Sequence, residues 1–341
     1  MLLDTQLWGL GEAAARAAQL ADLGLDGAFT FEGPHDVFTP LVLAAPAARL
    51  DLYTNVAIGL PRNPVQLAHQ AWDLQALSGG RFTLGLGSQV RAQIERRYGA
   101  AFHPPVARMR ELVASLRAIF DSWQHGTRLD FHGEFHTHTL MPPLFNPGPL
   151  EWGPPPILLG GLGPKMVEMA ATVADGLLVM PFCTERFLRE RTLVAVDRGL
   201  EASGRTRDEF TMVCEVIISC GRDEAEQVEA DAGVRMLLGF YGSTASYRPV
   251  LDLHGWGERQ TELNALARSG GWDEMSALVD DEMVATIAIR GTPTEVAGQL
   301  VGRFGDVADR VAFYFPYAIA DDAIRAIVTA VHDLTREQRE R

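Results

Sequence analysis

The chain has 341 residues, of which 22% are charged and 47% hydrophobic, and its formal net charge is −14. This length suits one large α/β domain or two ordinary ones. The acidic balance, without any cluster of basic residues, disfavours a nucleic-acid-binding protein. The sequence has no apolar run long enough for a membrane helix, and its three cysteines lack metal-ligand spacing; together these favour a soluble protein of the reduced cytoplasm.

Strand-like and helix-like patterns alternate along the chain. Buried strands are predicted at residues 2–8, 27–31, 51–58, 82–86, 156–160, 177–180, 210–220 and 310–315. Helices are predicted at residues 12–23, 40–48, 105–123, 165–174, 185–202, 223–238 and 321–335. Two more helices are predicted, one between Pro64 and Ser78 and one that ends at Phe304. Eight strands alternating with helices favour a closed (β/α)8 TIM barrel over a doubly wound sheet. We expect a single domain over residues 1–341, because no linker or internal repeat interrupts the pattern.

The helix between Pro64 and Ser78 is predicted to be amphipathic. Its inward face is assigned to five residues at helical spacing, Leu67, Gln70, Ala71, Leu74 and Leu77. Ala68, Trp72 and Gln75 are then expected at the side of this face.

Two segments depart from the alternation. Residues 127–155 include FHGEFHTHTL, which predicts a hairpin, followed by a proline-rich crossing loop. His132, His136 and His138 could bind a metal there, but only Glu134 accompanies them, and a solvated hairpin is favoured. Residues 239–283 mix Gly, Tyr and Trp with short helical pieces, which predicts an insertion on the C-terminal rim, where specificity is expected.

The turn after the fifth predicted strand is rich in glycine. In a TIM barrel the loops after the strands gather at the C-terminal face, so residues that end strands are candidates for a site. Here they are Gly160, Gly161, Leu162, Gly163, Pro164 and Lys165, the one lysine of the chain. Glycines let a ligand approach the backbone, and free amides at the start of the next helix attract an anion. The turn therefore predicts either a phosphate site or a tight turn without a ligand.

The loop after the second strand holds Glu32, His35 and Asp36 within five residues. A carboxylate beside an imidazole can move a proton, because burial and mutual charge bring either pKa toward neutrality. Alternatively, these residues lie on the rim and cap the following helix. Weaker candidates at the ends of other strands are Gln6, Tyr314 and Tyr317.

Residues 61–91 contain three motifs in sequence. They are Arg-x-Pro at residues 62–64, LSGGR at residues 77–81 and LGxG at residues 84–87. Gly163-Pro164 and a later Ala-Asp-Gly at residues 174–176 follow the same order further along the chain. This combination resembles the luciferase-like monooxygenase superfamily, although Asn63 stands where the superfamily more often has His. The resemblance extends to GTPTEVAGQL at residues 291–300.

The resemblance implies a cofactor, F420 or FMN, with its phosphate at residues 160–165. Members that use F420 often have an acidic group and an imidazole near the reacting carbon, which implies His35 or Glu32 as the catalytic acid or base, with Asp36 beside the cofactor. A bulge with a non-prolyl cis peptide against the ring is also implied, at Ala57-Ile58 by position. Ser88, Gln89 and Arg91 follow the fourth strand and either bind the cofactor or substrate or lie in a solvated loop; Gly87, at the end of that strand, is a further candidate for the cofactor site.

These observations favour an F420-dependent oxidoreductase that transfers a hydride between the deazaflavin and a small organic substrate, such as an alcohol, a carbonyl compound or an enone. The alternatives are an FMN-dependent monooxygenase, a cofactor-binding barrel without catalysis, and a His-ligated metal hydrolase. The resemblance also implies a homodimer that uses helices of the outer ring.

Overall fold

The described part of the chain forms twelve strands, eight of which make up a closed ring. The computed structural model describes residues 1–340, with side chains described for residues 1–337. The strands are β1 (Leu2–Gln6), β2 (Gly27–Thr30), β3 (Asp51–Thr54), β4 (Ala57–Ile58), β5 (Phe82–Gly87), β6 (Phe131–His132), β7 (Thr137–His138), β8 (Ile157–Gly161), β9 (Gly176–Val179), β10 (Thr211–Cys220), β11 (Ile289–Gly291) and β12 (Arg310–Tyr314).

The ring runs from β1 through β2, β3, β5, β8, β9, β10 and β12 back to β1. Every neighbouring pair in it is parallel, and the pairing of β9 with β10 closes it. The predicted (β/α)8 barrel is therefore confirmed. Strands β4 and β11 pair with β5 and β10, and β6 and β7 form the predicted antiparallel hairpin.

Helices surround the ring and cover its C-terminal rim. They are α1 (Ala13–Asp22), α2 (Thr39–Ala44), α3 (Pro64–Ser78), α4 (Arg91–Arg96), α5 (Pro105–His125), α6 (Pro164–Val173), α7 (Glu185–Phe187), α8 (Leu193–Ser203), α9 (Glu224–Gly242), α10 (Arg248–Asp252), α11 (Gly257–Ser269), α12 (Trp272–Leu278), α13 (Asp281–Ile287), α14 (Pro293–Phe304) and α15 (Asp321–Glu340). The predicted insertion corresponds to the end of α9 and to α10–α13. None of the described helices is long and apolar enough to cross a membrane.

The inward face of α3 differs from the predicted one. Leu67, Ala71 and Leu74 are buried as expected, but Gln70 is exposed and 52% of Leu77 is accessible. Ala68, Trp72 and Gln75, which were expected at the side, are buried as well. The inward face is displaced because Trp72 packs against Phe120 and Trp123 of α5, and because Gln75 accepts a hydrogen bond from the Phe82 amide at the start of β5.

A polar cluster occupies the N-terminal end of the barrel. Arg310, at the start of β12, donates to both oxygens of Asp4 at 2.7 and 2.8 Å and to Asp51 at 2.8 Å. The Tyr53 hydroxyl donates to Asp4 at 3.0 Å. Asp4 is fully buried, and a Cβ on Gly27 would lie 2.6 Å from its carboxylate. The cluster therefore links β1, β3 and β12 at the bottom of the barrel.

The barrel interior above this cluster is apolar. Its middle layer is a buried cluster made of Phe29, Tyr53, Leu158, Leu178, Val213 and Ala312. A second buried cluster joins the helices of the insertion to Phe182 and Ile217. The insertion is thus packed onto the C-terminal end of the barrel.

Candidate active site

The C-terminal mouth of the barrel is polar and partly open. Above the apolar layer, Asn55, Gly160, Met180, Glu215 and Tyr314 each keep part of their surface accessible, whereas the strand residues below them are buried. These residues come from five different strands or strand ends. The mouth is therefore where a ligand would meet side chains from many elements at once, as in other TIM barrels.

Glu215 is the central titratable group of the mouth. It lies in the middle of β10, two residues after the interior residue Val213. Asn55 Nδ2 donates to Glu215 Oε2 at 3.1 Å. Burial raises the pKa of Glu215 to about 8, although the amides of Asn55 and Gln6 partly offset this effect. A carboxyl group of this kind is protonated at neutral pH and can give up its proton to a neighbour.

Two phenols, Tyr241 and Tyr314, lie near this carboxyl group, and a third, Tyr53, lies below it with its hydroxyl bonded to Asp4. Burial raises the pKa of Tyr314 to about 12, and the charge of Glu215 adds to the shift. The pKa values of Tyr241 and Tyr53 are also raised, first by burial and then by neighbouring groups that include Glu215. The phenols stay neutral near pH 7, so Glu215 is the member of this cluster that changes charge most readily.

Gln6, at the end of β1, completes the polar group at the mouth. Its side-chain oxygen accepts a hydrogen bond from Trp8 Nε1 at 3.0 Å. Its Nε2 atom is buried and lacks a hydrogen-bond partner within ordinary geometry among the described residues. Such an unsatisfied donor costs about 1–3 kcal/mol, so this atom marks a place where a ligand acceptor would fit.

A bulge between β3 and β4 forms one wall of the mouth. The sequence predicted one strand over residues 51–58 with a cis peptide at Ala57-Ile58; the structure instead has two short strands, and the cis peptide joins Asn55 and Val56. A Cβ on Gly87 would lie 2.5 Å from Val56, and one on Gly160 would lie 3.1 Å from it. Val56 therefore sits at the mouth, while Ala57 and Ile58 are buried in β4.

The turn from β8 into α6 is open to an anion. Gly163 is the N-cap of α6, and no side chain caps this helix. Gly160, Gly161 and Leu162 are partly buried, whereas Gly163, Pro164 and Lys165 are exposed. A Cβ on Gly163 would meet nothing within 4 Å. Uncapped amides, open space and one cation thus lie together beside the mouth.

Glu32 is held in a tight polar cluster. It forms an ion pair with Arg62 and accepts hydrogen bonds from the Ile58 amide at 3.2 Å and from the Tyr98 hydroxyl at 3.4 Å. Arg62 also donates to the Ile58 carbonyl at 2.7 Å. These contacts show Glu32 fixing β4 and the loop after it.

The other two residues of the loop after β2 have different surroundings. Asp36 Oδ1 accepts from the Phe38 and Thr39 amides and from the Thr39 hydroxyl, at 2.9–3.0 Å. It therefore caps the start of α2, which is the alternative considered from the sequence. His35 is exposed on the rim. The structure does not bring His35 and Glu32 into a hydrogen-bonded pair.

Residues after β5 line the approach to the mouth. Gly87 ends the strand, Ser88 is partly buried and Gln89 is exposed. Gln89 has a φ of 56°, which is uncommon for a residue with a side chain, and its Oε1 accepts from the Val90 amide at 2.8 Å. Arg91 begins α4 and pairs with Glu95.

Tyr317 and His136, two of the remaining candidates from the sequence, form hydrogen bonds with other groups of the protein. Tyr317 donates its hydroxyl to the Cys220 carbonyl and accepts from the Cys220 amide. His136 and the backbone amides of residues 134–136 contact the carboxylate of Glu111. Within residues 1–337, three or more His, Cys, Asp or Glu side chains are nowhere grouped so that they could hold a metal ion.

Two central residues of the mouth, Glu215 and Asn55, escaped the sequence prediction. A signal for Glu215 was present, because it is the only charged residue in the otherwise apolar run TMVCEVIISC. A charged residue is rarely buried in a strand without a partner or a function. The signal for Asn55 was weaker, since its position depends on the bulge.

The fold and the polar mouth define a TIM-barrel enzyme. The sequence matches the family model of luciferase-like monooxygenases over residues 3–310. It is 44% identical over 328 residues to an uncharacterized protein of Mycobacterium tuberculosis, covering 96% of this chain and 95% of that protein. The chain belongs to the luciferase-like monooxygenase family and is an oxidoreductase of that family.

Two further comparisons involve proteins that use F420. The chain is 28% identical over 287 residues to the F420-dependent glucose-6-phosphate dehydrogenase of Kineococcus radiotolerans, covering 82% of this chain and 76% of that protein. The coenzyme F420-dependent tetrahydromethanopterin reductase of Methanopyrus kandleri has the same fold, with a TM-score of 0.82 and 19% identity, over 98% of this chain and 99% of the other.

Proposed function

We propose that this protein is an F420-dependent oxidoreductase that transfers a hydride between the deazaflavin and a small alcohol, carbonyl compound or enone. One observation carries the proposal: the uncapped start of α6 and the Val56 bulge lie on either side of Gly160. An anion-binding turn next to the apolar side chain of Val56 suits a cofactor with a phosphate at one end and a flat ring at the other. Relatives named as F420-dependent enzymes support the choice of cofactor.

The described residues fit this cofactor. Gly161, Gly163 and Lys165 would hold the phosphate, and Val56 would contact the ring, with Gly87, Ser88 and Gln89 near the chain between them. When bound, F420 supplies or accepts a hydride at carbon. At the mouth, Asn55 holds the Glu215 carboxyl in place.

His35 and Glu32 have different roles in this proposal. Glu32 is a positioning residue, because Arg62 and the backbone of β4 occupy its carboxylate. His35 lies exposed on the loop after β2, where it can reach a ligand from the rim. Asp36 would act indirectly, by fixing the start of α2 below His35.

An FMN-dependent monooxygenase is the second candidate. The family model is described as that of luciferase-like monooxygenases, and FMN also presents a phosphate and a flat ring. The phosphate turn would serve either cofactor equally well.

We also propose a cytoplasmic homodimer with a small-molecule substrate.

Titration of the purified apoprotein with F420 and, in parallel, with FMN tests the proposal. The fluorescence of each cofactor reports its binding. We expect saturable F420 binding that is at least tenfold tighter than FMN binding. Tighter binding of FMN would move the assignment to the monooxygenase, and binding of neither would refute both cofactors.

A further inference from the structure

The Gln6 amide has a fixed orientation at the mouth. Trp8 Nε1 can only donate a hydrogen bond, so the Gln6 atom that faces it must be the carbonyl oxygen. The Nε2 group therefore lies on the other side, buried, where it faces the Glu215 carboxyl and lowers its pKa without making an ordinary hydrogen bond to the described residues. Buried donors are nearly always satisfied in folded proteins, so a donor held beside a carboxyl group without an ordinary hydrogen bond is available to a ligand acceptor.

The Glu215 carboxyl offers a second donor to the same region. Asn55 donates to Oε2, so a proton on this carboxyl is better placed on Oε1, where it can be given to a ligand. Gln6 and Glu215 come from β1 and β10, which both lie next to β12. The β12 residue registered with Glu215 is Ala312, which has a small side chain.

We infer that Gln6 and Glu215 together bind the oxygen of a ketone or aldehyde substrate and that Glu215 exchanges a proton with this oxygen. The inference rests on the proposed function, in which reduced F420 is the hydride donor. In the reduction, the carbonyl carbon gains a hydride and the oxygen gains the Glu215 proton, which leaves a glutamate anion and an alcohol. Alcohol oxidation reverses both transfers.

The surroundings favour a substrate with an apolar body. Phe182, Tyr241 and Tyr247 pack against one another, with ring centroids 5.9–6.1 Å apart. Both tyrosines belong to the end of α9 and the segment after it, where the rim insertion begins. The titratable groups that interact electrostatically with Glu215 are phenols: Tyr241 and Tyr314 at the mouth, and Tyr53 below it, whose hydroxyl donates to Asp4. Since these stay neutral near pH 7, Glu215 dominates the pH response.

Binding of cyclohexanone, measured by ligand-observed NMR with and without F420, tests this inference. In the wild-type protein we expect binding at pH 7 that weakens about tenfold by pH 9, because the donor proton is lost across a pKa of about 8. Glu215→Gln keeps a donor that does not titrate, so cyclohexanone binding should become independent of pH. Turnover should fall at least a hundredfold, because an amide cannot give up a proton.

Gln6→Met removes the second donor at nearly constant volume. We expect it to weaken cyclohexanone binding several-fold, whereas Gln70→Met, at an exposed position of α3, should leave binding unchanged. Wild-type binding that is undetectable or independent of pH would overturn the inference, and so would equal binding by Gln6→Met. If F420 does not bind but the ketone binds with the expected pH dependence, the cofactor assignment fails and the donor site stands.

Discussion

Glu215 couples the stability of the protein to pH. In the folded protein its pKa is about 8, against 4.5 for an ordinary glutamate. Between these values the folded state keeps a proton that the unfolded state has released, so the free energy of unfolding falls as pH rises from about 4.5 to 8. At about 1.4 kcal/mol per pKa unit from 4.5 to about 8, the loss approaches about 5 kcal/mol as an upper limit.

Glu215→Gln removes this dependence. We expect the variant to be similar in stability to the wild type at pH 5 and more stable by about 2–4 kcal/mol at pH 9, because the amide is never charged. Urea unfolding at the two pH values measures the difference. Glu201→Gln, at an exposed position of α8, should change stability little at either pH. Parallel curves for wild type and Glu215→Gln would contradict the raised pKa.

Sequence patterns are weakest at the scale of single residues. Glu32, His35 and Asp36 were correctly located on one loop, and capping of the following helix, which Asp36 performs, was one of the two alternatives drawn from the sequence. The sequence could not show that Arg62 would pair with Glu32, because that contact depends on how separate loops meet in space. Glu215 was missed for the opposite reason, since an isolated charge in an apolar strand becomes significant only when the strand is known to face the mouth.

At the scale of elements, substitutions at the start of α6 allow the effect of an added charge on cofactor binding to be measured separately from its effect on helix stability. Gly163 is the N-cap, with extended backbone and open space around it. Gly163→Asp should stabilise the helix by a few tenths of a kcal/mol, because Asp is a better N-cap than Gly. The same carboxylate should weaken F420 binding by tenfold or more, because it repels the phosphate.

Gly163→Asn is the matched control for this change. Asn caps a helix about as well as Asp but carries no charge, so any loss of F420 affinity through charge alone should be much smaller. Fluorescence titration gives the affinities, and thermal unfolding gives the stabilities. If Gly163→Asp binds F420 as tightly as Gly163→Asn, the phosphate lies elsewhere.

Helix and strand positions were largely predictable, but the inward face of α3 and the break between β3 and β4 were not. Period-2 and helical spacing placed all eight ring strands within a few residues of their positions. The predicted inward face of α3 was wrong, because helical periodicity assigns Leu77 to the buried side and cannot anticipate that Trp72 packs against α5. The break between β3 and β4 was missed because residues 51–58 are uniformly strand-like, while the bulge is enforced by packing against Gly87 and Gly160.

At the scale of the whole molecule, alternation of strands and helices was enough to predict the barrel. Closure itself depends on contacts between residues far apart in sequence, such as Asp4 and Arg310. Among these, the Arg310 cluster offers a direct test, because it joins the two ends of the chain at the bottom of the barrel. It lies at the opposite end from the candidate active site.

Arg310→Met should destabilise the protein by about 3–5 kcal/mol, because it leaves the fully buried Asp4 without its cation. Adding Asp4→Leu to this variant should recover part of the loss, since it removes the unpaired charge. Arg110→Met, at an exposed position of α5, is the control and should cost less than about 0.5 kcal/mol. Urea unfolding at pH 7 measures all three. A loss for Arg310→Met no larger than that of the control would show that hydrophobic packing alone closes the barrel.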